Sequence, residues 1–437
     1  MLPRPLLNLA KNLGSVVVAN AASAGLGFLV LALLSRKLSP AGFGILAPII
    51  SILDLGQVLI DSIVSAGAVH VAVQKLKSNA AHAAMAFKIA FWIRMSAAGL
   101  VVILGWPAAP WLSQLLFDTT DWTWELRLAC VTVPAIAVYM SAIAVLQTRQ
   151  DFTRLSAVTL YKNSLRLGFL AVLVVIGLLS VDTAAWAICL AAVLTAGLAV
   201  FTTPFNYLRV PGFDRAIAGE MFAVNKWMML MAVSYVGGRI DVFMLSSLSI
   251  PEQVGWYSAA MQLCLAITLV SQSLITTLFP KTSGLQGPAE LRAYWNRSLK
   301  LGLLVLIPYG MLVVLSGWIT PILLGSSYAN AAPVLNLLAG SAFLTLATNP
   351  VILLLFPLGE VRLLAIAGLA QLFIRVVLNL VFMPTYGATG AAAAELLAKA
   401  LTIGLTLVAI DRVLRSRQRA LGDREALQPA AGGSDAG

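Results

Sequence analysis

The run VRLLAIAGLAQLFIRVVLNLVFMPTYGATGAAAAELLAKALTIGLTLVAI (361–410) decides the fold. It holds two apolar stretches, 361–383 and 387–411. Each is long enough to cross a hydrocarbon core of about 30 Å as a helix rising about 1.5 Å per residue. Gly387 and Gly390 between them let the chain reverse tightly, and the small run Ala391–Ala394 lets helices approach closely. The alternation of a membrane strand is missing, so helices rather than a barrel must satisfy the backbone in lipid.

Ten further stretches read the same way: 12–35, 42–73, 83–105, 123–147, 156–180, 184–208, 223–248, 253–279, 299–320 and 331–356. The 437 residues are 60% hydrophobic and 11% charged, with a mean hydropathy of +0.91. A soluble chain of this length cannot hide that much apolar surface, so the solvent is lipid. We expect an all-α polytopic membrane protein of about twelve transmembrane helices in two six-helix halves around a central cavity. The halves are residues 1–208 and 223–411, with a linker at 209–222 and a basic, disordered tail at 412–437. Little chain remains for a soluble catalytic domain. Arg4 and Lys11 before an apolar run, and ANAASA (19–24), mimic a secretion leader. The apolar stretch continues to Leu34, too long for a leader core, and reads as the first membrane helix.

Lys and Arg set the orientation. One set of loops holds Arg4, Lys11, Lys75, Lys77, Arg149, Arg154, Arg209, Arg215, Lys226, Lys281, Arg292, Arg297, Lys300, Arg362 and the basic end from Arg412. The opposite set holds Arg36 and Lys37. This bias places both termini in the cytoplasm. It also accounts for a pI near 9.8 without nucleic acid. Trp106, Trp111, Trp122, Trp124, Trp256 and Trp318 fall near the outer ends, as an interfacial belt requires. The longest outer loop is read at 106–122, rich in Trp and Pro.

Several chemistries are excluded. No GxxxxGK[ST] loop provides for ATP. Two histidines, His70 and His82, cannot supply a catalytic triad or a metal centre. Cys130, Cys189 and Cys264 lie far apart inside apolar stretches and read as buried small residues. We expect no enzyme activity, cofactor or metal.

Pro40 and Gly44, and again Pro251 and Gly255, stand four residues apart at the start of an even-numbered helix, a faint internal repeat. Around these positions three runs resemble the polysaccharide (O-antigen type) flippases of the multidrug/oligosaccharidyl-lipid/polysaccharide exporter superfamily. GRIDVFMLSSLSIPEQVGWYSAA (238–260) matches with Asp241, Gly255, Tyr257 and Ala260. PILLGSSYANAAPVLNLLA (321–339) matches with Gly325, Tyr328, Ala331, Val334 and Leu335, although Pro333 stands before the Val-Leu pair. MPTYGATGAAAAE (383–395) matches their Pro-x-Tyr-Gly-x-x-Gly-Ala-Ala turn. Leu38, Pro40, Phe43 and Gly44, and LFP (278–280), also fit. The resemblance implies a MATE-like fold in the bacterial inner membrane. It implies transfer of an undecaprenyl-diphosphate-linked oligosaccharide from the cytoplasmic to the periplasmic leaflet. It also implies work beside polysaccharide polymerase or assembly proteins.

Charges inside the bilayer cost at least about 2.5–3.5 kcal/mol each and normally face a cavity or a partner. By these spans the interior cations are Lys88, Arg94, Lys162, Arg166, Arg239, Arg375 and Lys399, against Asp54, Asp61, Asp241 and Glu395. The surplus is positive and suits an anionic cargo. Arg375, deep in its helix, shares a polar stripe with Gln371 and Asn379, and its fork suits phosphate. The competing reading is a structural arginine. Arg239 and Asp241 point to different faces, toward cargo and toward a neighbouring helix, or else form interhelical salt bridges. Lys162 with Arg166, and Lys88 with Arg94, make a funnel for a diphosphate or else snorkel to headgroups. Asp54 and Asp61, on a stripe with Gln57, are candidates for an H+ or Na+ coupling site, as are Asp241 and Glu395; the alternative is hydrogen bonding between helices. Glu395 and Lys399 stand in the favourable i, i+4 order to pair with each other. A multidrug exporter of the same superfamily is the second reading and would need the opposite cavity charge. A glycan polymerase or ligase is the third and would need a large outer loop.

Overall fold

The computed structural model describes residues 4–76, 80–285, 287–360 and 362–427. Among them the chain is helical without strands: α1 (Arg4–Lys37), α2 (Pro40–Leu76), α3 (Ala80–Phe117), α4 (Thr123–Thr148), α5 (Phe152–Val175), α6 (Val181–Thr202), α7 (Arg215–Leu248), α8 (Pro251–Ser283), α9 (Pro288–Leu304), α10 (Leu306–Leu324), α11 (Ala332–Ile352) and α12 (Arg362–Leu427). Nine stretches of the described residues are long and apolar enough to cross a membrane. One runs through α9 and α10 together, and another covers most of α12. The helices' outward surface is hydrocarbon, with Val175, Phe201, Val314 and Trp318 almost fully exposed, as lipid-facing residues must be.

The opening run folds back on itself. Gly387 adopts φ of 53°, open to glycine at little steric cost, and breaks α12 into two limbs. The Gln253 side chain fills the space where a Cβ would stand, and its Oε1 accepts the Ala388 N–H at 2.7 Å. Along a straight helix Arg375 and Glu395 would be about 30 Å apart. Their side chains meet at 2.7 Å, so the limbs lie side by side.

Helices α1–α6 pack among themselves, as do α7–α12, and the two sets meet chiefly where α2 lies against α7 and α8. At the start of α2 and α8 the repeated glycines pack reciprocally. A Cβ on Gly44 would strike the Pro251 carbonyl, and one on Gly255 would strike the Pro40 carbonyl. Two backbones approach this closely only where side chains are absent. Gly44→Val and Gly255→Val should each lower stability by about 1–3 kcal/mol through overpacking. The pair should be less than additive, because either one separates the same contact. Thermal unfolding in detergent measures both.

The structure corrects three boundaries. The outer loop read at 106–122 is helix as far as Phe117, through Pro107 and Pro110. Pro110 lacks the N–H that would bond the Trp106 carbonyl. Arg127 Nε donates to that carbonyl at 3.3 Å instead, and its guanidinium lies 5.1 Å from the rings of both Trp106 and Trp124. The linker read at 209–222 shortens, because Asp214 caps α7 by accepting from the N–H groups of Ala216 and Ile217. The tail read from Arg412 is helical to Leu427, in keeping with its Ala, Leu, Arg and Glu content. Residues 428–437 of that tail, and Lys77, lie outside the described residues.

Candidate functional site

Four helix faces line a narrow cavity of about 60 Å³ that opens to the outside. Its residues follow helical spacing. Ile50, Leu53, Asp54 and Gln57 come from α2; Ile136 and Tyr139 from α4; Lys162 and Arg166 from α5; Ile188, Ala191, Ala192 and Thr195 from α6. In each helix the intervals of three and four put these side chains on one stripe. Half of the α6 stripe is alanine, which keeps the space open.

The cavity is polar where the charges are. Lys162 Nζ donates to the Gln57 amide oxygen at 2.9 Å and lies 5.2 Å from the Tyr139 ring. Neither partner is a carboxylate. Arg166, one turn further on, has no hydrogen-bond or ion-pair partner among the described residues, and its Nε is buried. Asp54 reaches across to α7, where Arg239 Nη2 lies 2.7 Å away. Three cations thus surround one carboxylate, leaving two positive charges.

The other interior charges are neutralised elsewhere. Asp241, fully buried on α7, accepts from Tyr257 Oη of α8 at 2.5 Å, Arg375 Nε at 2.8 Å and Asn379 Nδ2 at 2.7 Å. Glu395 accepts from Ser341 Oγ at 2.9 Å and lies 2.7 Å from Arg375 Nη1 and 2.8 Å from Lys399 Nζ. Two cations and two carboxylates make this cluster neutral. It ties both limbs of α12 to α7, α8 and α11. Arg375 is therefore enclosed by carboxylates rather than free over a cavity. Gln371, although on its stripe, has no polar partner among the described residues.

Asp61 belongs to a second neutral group. Ser65 Oγ donates to it, and Arg94 lies 3.9 Å away. Arg94, 1% exposed, also donates to Ser65 at 2.5 Å and to Ser141 at 3.3 Å, joining α2, α3 and α4. Lys88 donates to the carbonyls of Val210 at 2.7 Å and Gly212 at 3.1 Å, closing the segment before α7.

Of the eight residues expected to bind cargo, Lys162 and Arg166 line the cavity and Arg239 stands beside it. Arg94, Lys88, Arg375 and Asn379 are engaged elsewhere, and Gln371 is not part of the cavity lining. Tyr139 and Thr195 were not singled out in the sequence, because one aromatic or hydroxyl on an apolar helix gives no distinguishing signal. Tyr257 was visible only as a motif letter, and its hydroxyl proves to be bonded to Asp241.

Residues 33–333 match the family described as polysaccharide biosynthesis protein. The chain belongs to this family. A curated relative, a probable low-salt glycan biosynthesis flippase, Agl15 of Haloferax volcanii, is 25% identical over 410 residues, 90% of this chain and 81% of its own length. Two solved structures share the fold. An inward-facing multidrug resistance MATE family transporter of the MOP superfamily superposes with a TM-score of 0.76 at 13% identity, over 92% of this chain and 99% of its own. Lipid II flippase MurJ, inward closed, superposes with a TM-score of 0.73 at 14% identity, over 91% of this chain and 87% of its own. This member of the polysaccharide biosynthesis family is a multi-pass membrane protein with the MATE-like fold.

Proposed function

We propose that the chain is a flippase that moves an undecaprenyl-diphosphate-linked oligosaccharide from the cytoplasmic to the periplasmic leaflet of the bacterial inner membrane, with both termini cytoplasmic. The observation that carries this reading is the cavity, where Lys162 and Arg166 stand one turn apart without a carboxylate partner. Unpaired cations in a low dielectric are costly unless an anion completes them. Two adjacent donors suit the two phosphates of a diphosphate, while Gln57, Tyr139 and Thr195 offer hydrogen-bond groups to a sugar. The apolar tail stays in the bilayer. Alternating access works by separating α2 from α7 and α8 at one end while the other closes.

With the cytoplasm negative, each negative charge carried outward gains about 2.3 kcal/mol per 100 mV, so the potential helps the transfer. A coupling proton or sodium ion would find Asp61 the most accessible interior carboxylate, its side chain 51% exposed. An exporter of cationic drugs would need a surplus of carboxylates in the cavity, and the surplus here is cationic.

The test is reconstitution in vesicles with a fluorescent undecaprenyl-diphosphate oligosaccharide in one leaflet. Transfer, read as loss of protection from a membrane-impermeant quencher, is expected to depend on the protein and to accelerate with a potential negative on the donor side. Transport of lipophilic cations without transfer of the lipid-linked glycan would overturn the reading.

A further inference from the structure

We infer that Asp54 is an internal counter-anion: it holds Arg239 in the empty transporter and yields it to the cargo, so the cavity presents two net positive charges and selects a diphosphate over a monophosphate. This rests on the cargo class proposed above and names what sets its selectivity.

The argument begins with exposure. The Asp54 and Arg239 side chains meet at 2.7 Å while 37% and 21% exposed. A half-exposed ion pair is weak and open to competition. The Arg375 pairs, with Asp241 fully buried, are not exchangeable in this way, because separating them would leave carboxylates stranded in a dry interior. Asp54 also lines the same cavity as Lys162 and Arg166. An anion drawn in by those two cations arrives beside Asp54 and meets a guanidinium already arranged for an oxyanion, since an arginine fork binds carboxylate and phosphate in the same geometry.

The charge balance then decides the class of ligand. Lys162, Arg166 and Arg239 against Asp54 leave two positive charges. A diphosphate joined to lipid at one end and sugar at the other carries two negative ones. A lipid monophosphate diester carries one and would leave a cation unmatched. The pair has a mechanical consequence as well, because it links α2 to α7, two helices packed along each other. When phosphate takes Arg239 from Asp54, the link opens as the cargo binds.

The experiment uses the full chain in detergent, with farnesyl glucosyl diphosphate, which carries two negative charges, and farnesyl glucosyl phosphate, which carries one, as probes in titration calorimetry. Wild type should bind the diphosphate at least about tenfold more tightly than the monophosphate. Asp54→Asn should bind the diphosphate about tenfold more tightly than wild type, since the competing anion is gone, yet turn over more slowly in vesicles. Arg239→Gln should weaken diphosphate binding about tenfold and shrink the preference. A carboxylate that merely braces α2 against α7 predicts weaker binding in Asp54→Asn. Unchanged or weaker binding in that variant, or equal wild-type affinity for both probes, overturns the inference. Wild type that binds neither probe brings down the cargo reading itself, and the inference with it.

Discussion

Replacing Lys162 and Arg166 together by glutamine is expected to abolish transfer while leaving the protein as stable as before, or more so. The two effects have opposite signs because neither cation holds the fold together. Lys162 meets only the neutral Gln57 and the face of Tyr139, and Arg166 meets no carboxylate among the described residues. Their partial burial is a desolvation cost in the empty protein that Gln57, Tyr139 and the neighbouring Asp54 relieve only in part, and neutral side chains remove it. Toward cargo the balance reverses. A hydrogen bond to a charged group contributes about 1.5–3 kcal/mol. Losing two such bonds should weaken diphosphate binding by roughly 10²–10⁴-fold. Thermal unfolding and calorimetry on the same preparation read both quantities. If the two side chains instead reach out to lipid headgroups, the double variant should bind and transfer as wild type does, and the cavity loses its assigned role.

What could be read in advance, and what could not, divides along helix borders. Apolar length carried the all-helical membrane fold, because it follows from the bilayer acting on each stretch alone. Pairings within one helix were also legible. Glu395 and Lys399 are 2.8 Å apart, as their i, i+4 order requires. Pairings between helices were not. Arg239 with Asp54, Arg94 with Asp61 and Arg375 with Asp241 depend on which face turns to which neighbour, and no single-helix pattern contains that. Arg375 drew attention by its depth, but depth selects a guanidinium locked to buried carboxylates as readily as one waiting for phosphate. The surplus of interior cations was visible from counting. Its location in the α5 stripe emerged only once the other charges had found their partners. Pro107 and Pro110 misled in a different way, since the loss of one backbone donor was made good by Arg127 from the next helix.

Arg375→Ala is expected to be the most damaging single substitution in the chain, through folding rather than through cargo. The guanidinium is bonded to Asp241 on α7 and paired with Glu395 on the second limb of α12, which are 0% and 6% exposed. Its removal leaves Asp241 with only Tyr257 and Asn379 as donors, and breaking such a buried pair costs about 3–5 kcal/mol. Folded yield in the membrane and the unfolding temperature should both fall sharply. Arg375→Lys keeps the charge, but a point ammonium cannot bridge two carboxylates as the fork does, so it should recover only part of the loss. Arg375→Met combined with Asp241→Asn removes one charge of each sign and leaves Glu395 paired with Lys399. That double variant should regain most of the stability, since replacing a buried ion pair by neutral groups is often close to neutral. Its transport then decides the role of Arg375. A brace predicts that transfer returns with the fold, because Lys162, Arg166 and Arg239 are untouched. A cargo ligand predicts a well-folded protein that moves nothing, and that result would shift the diphosphate from the α5 cavity to the cluster between the limbs of α12.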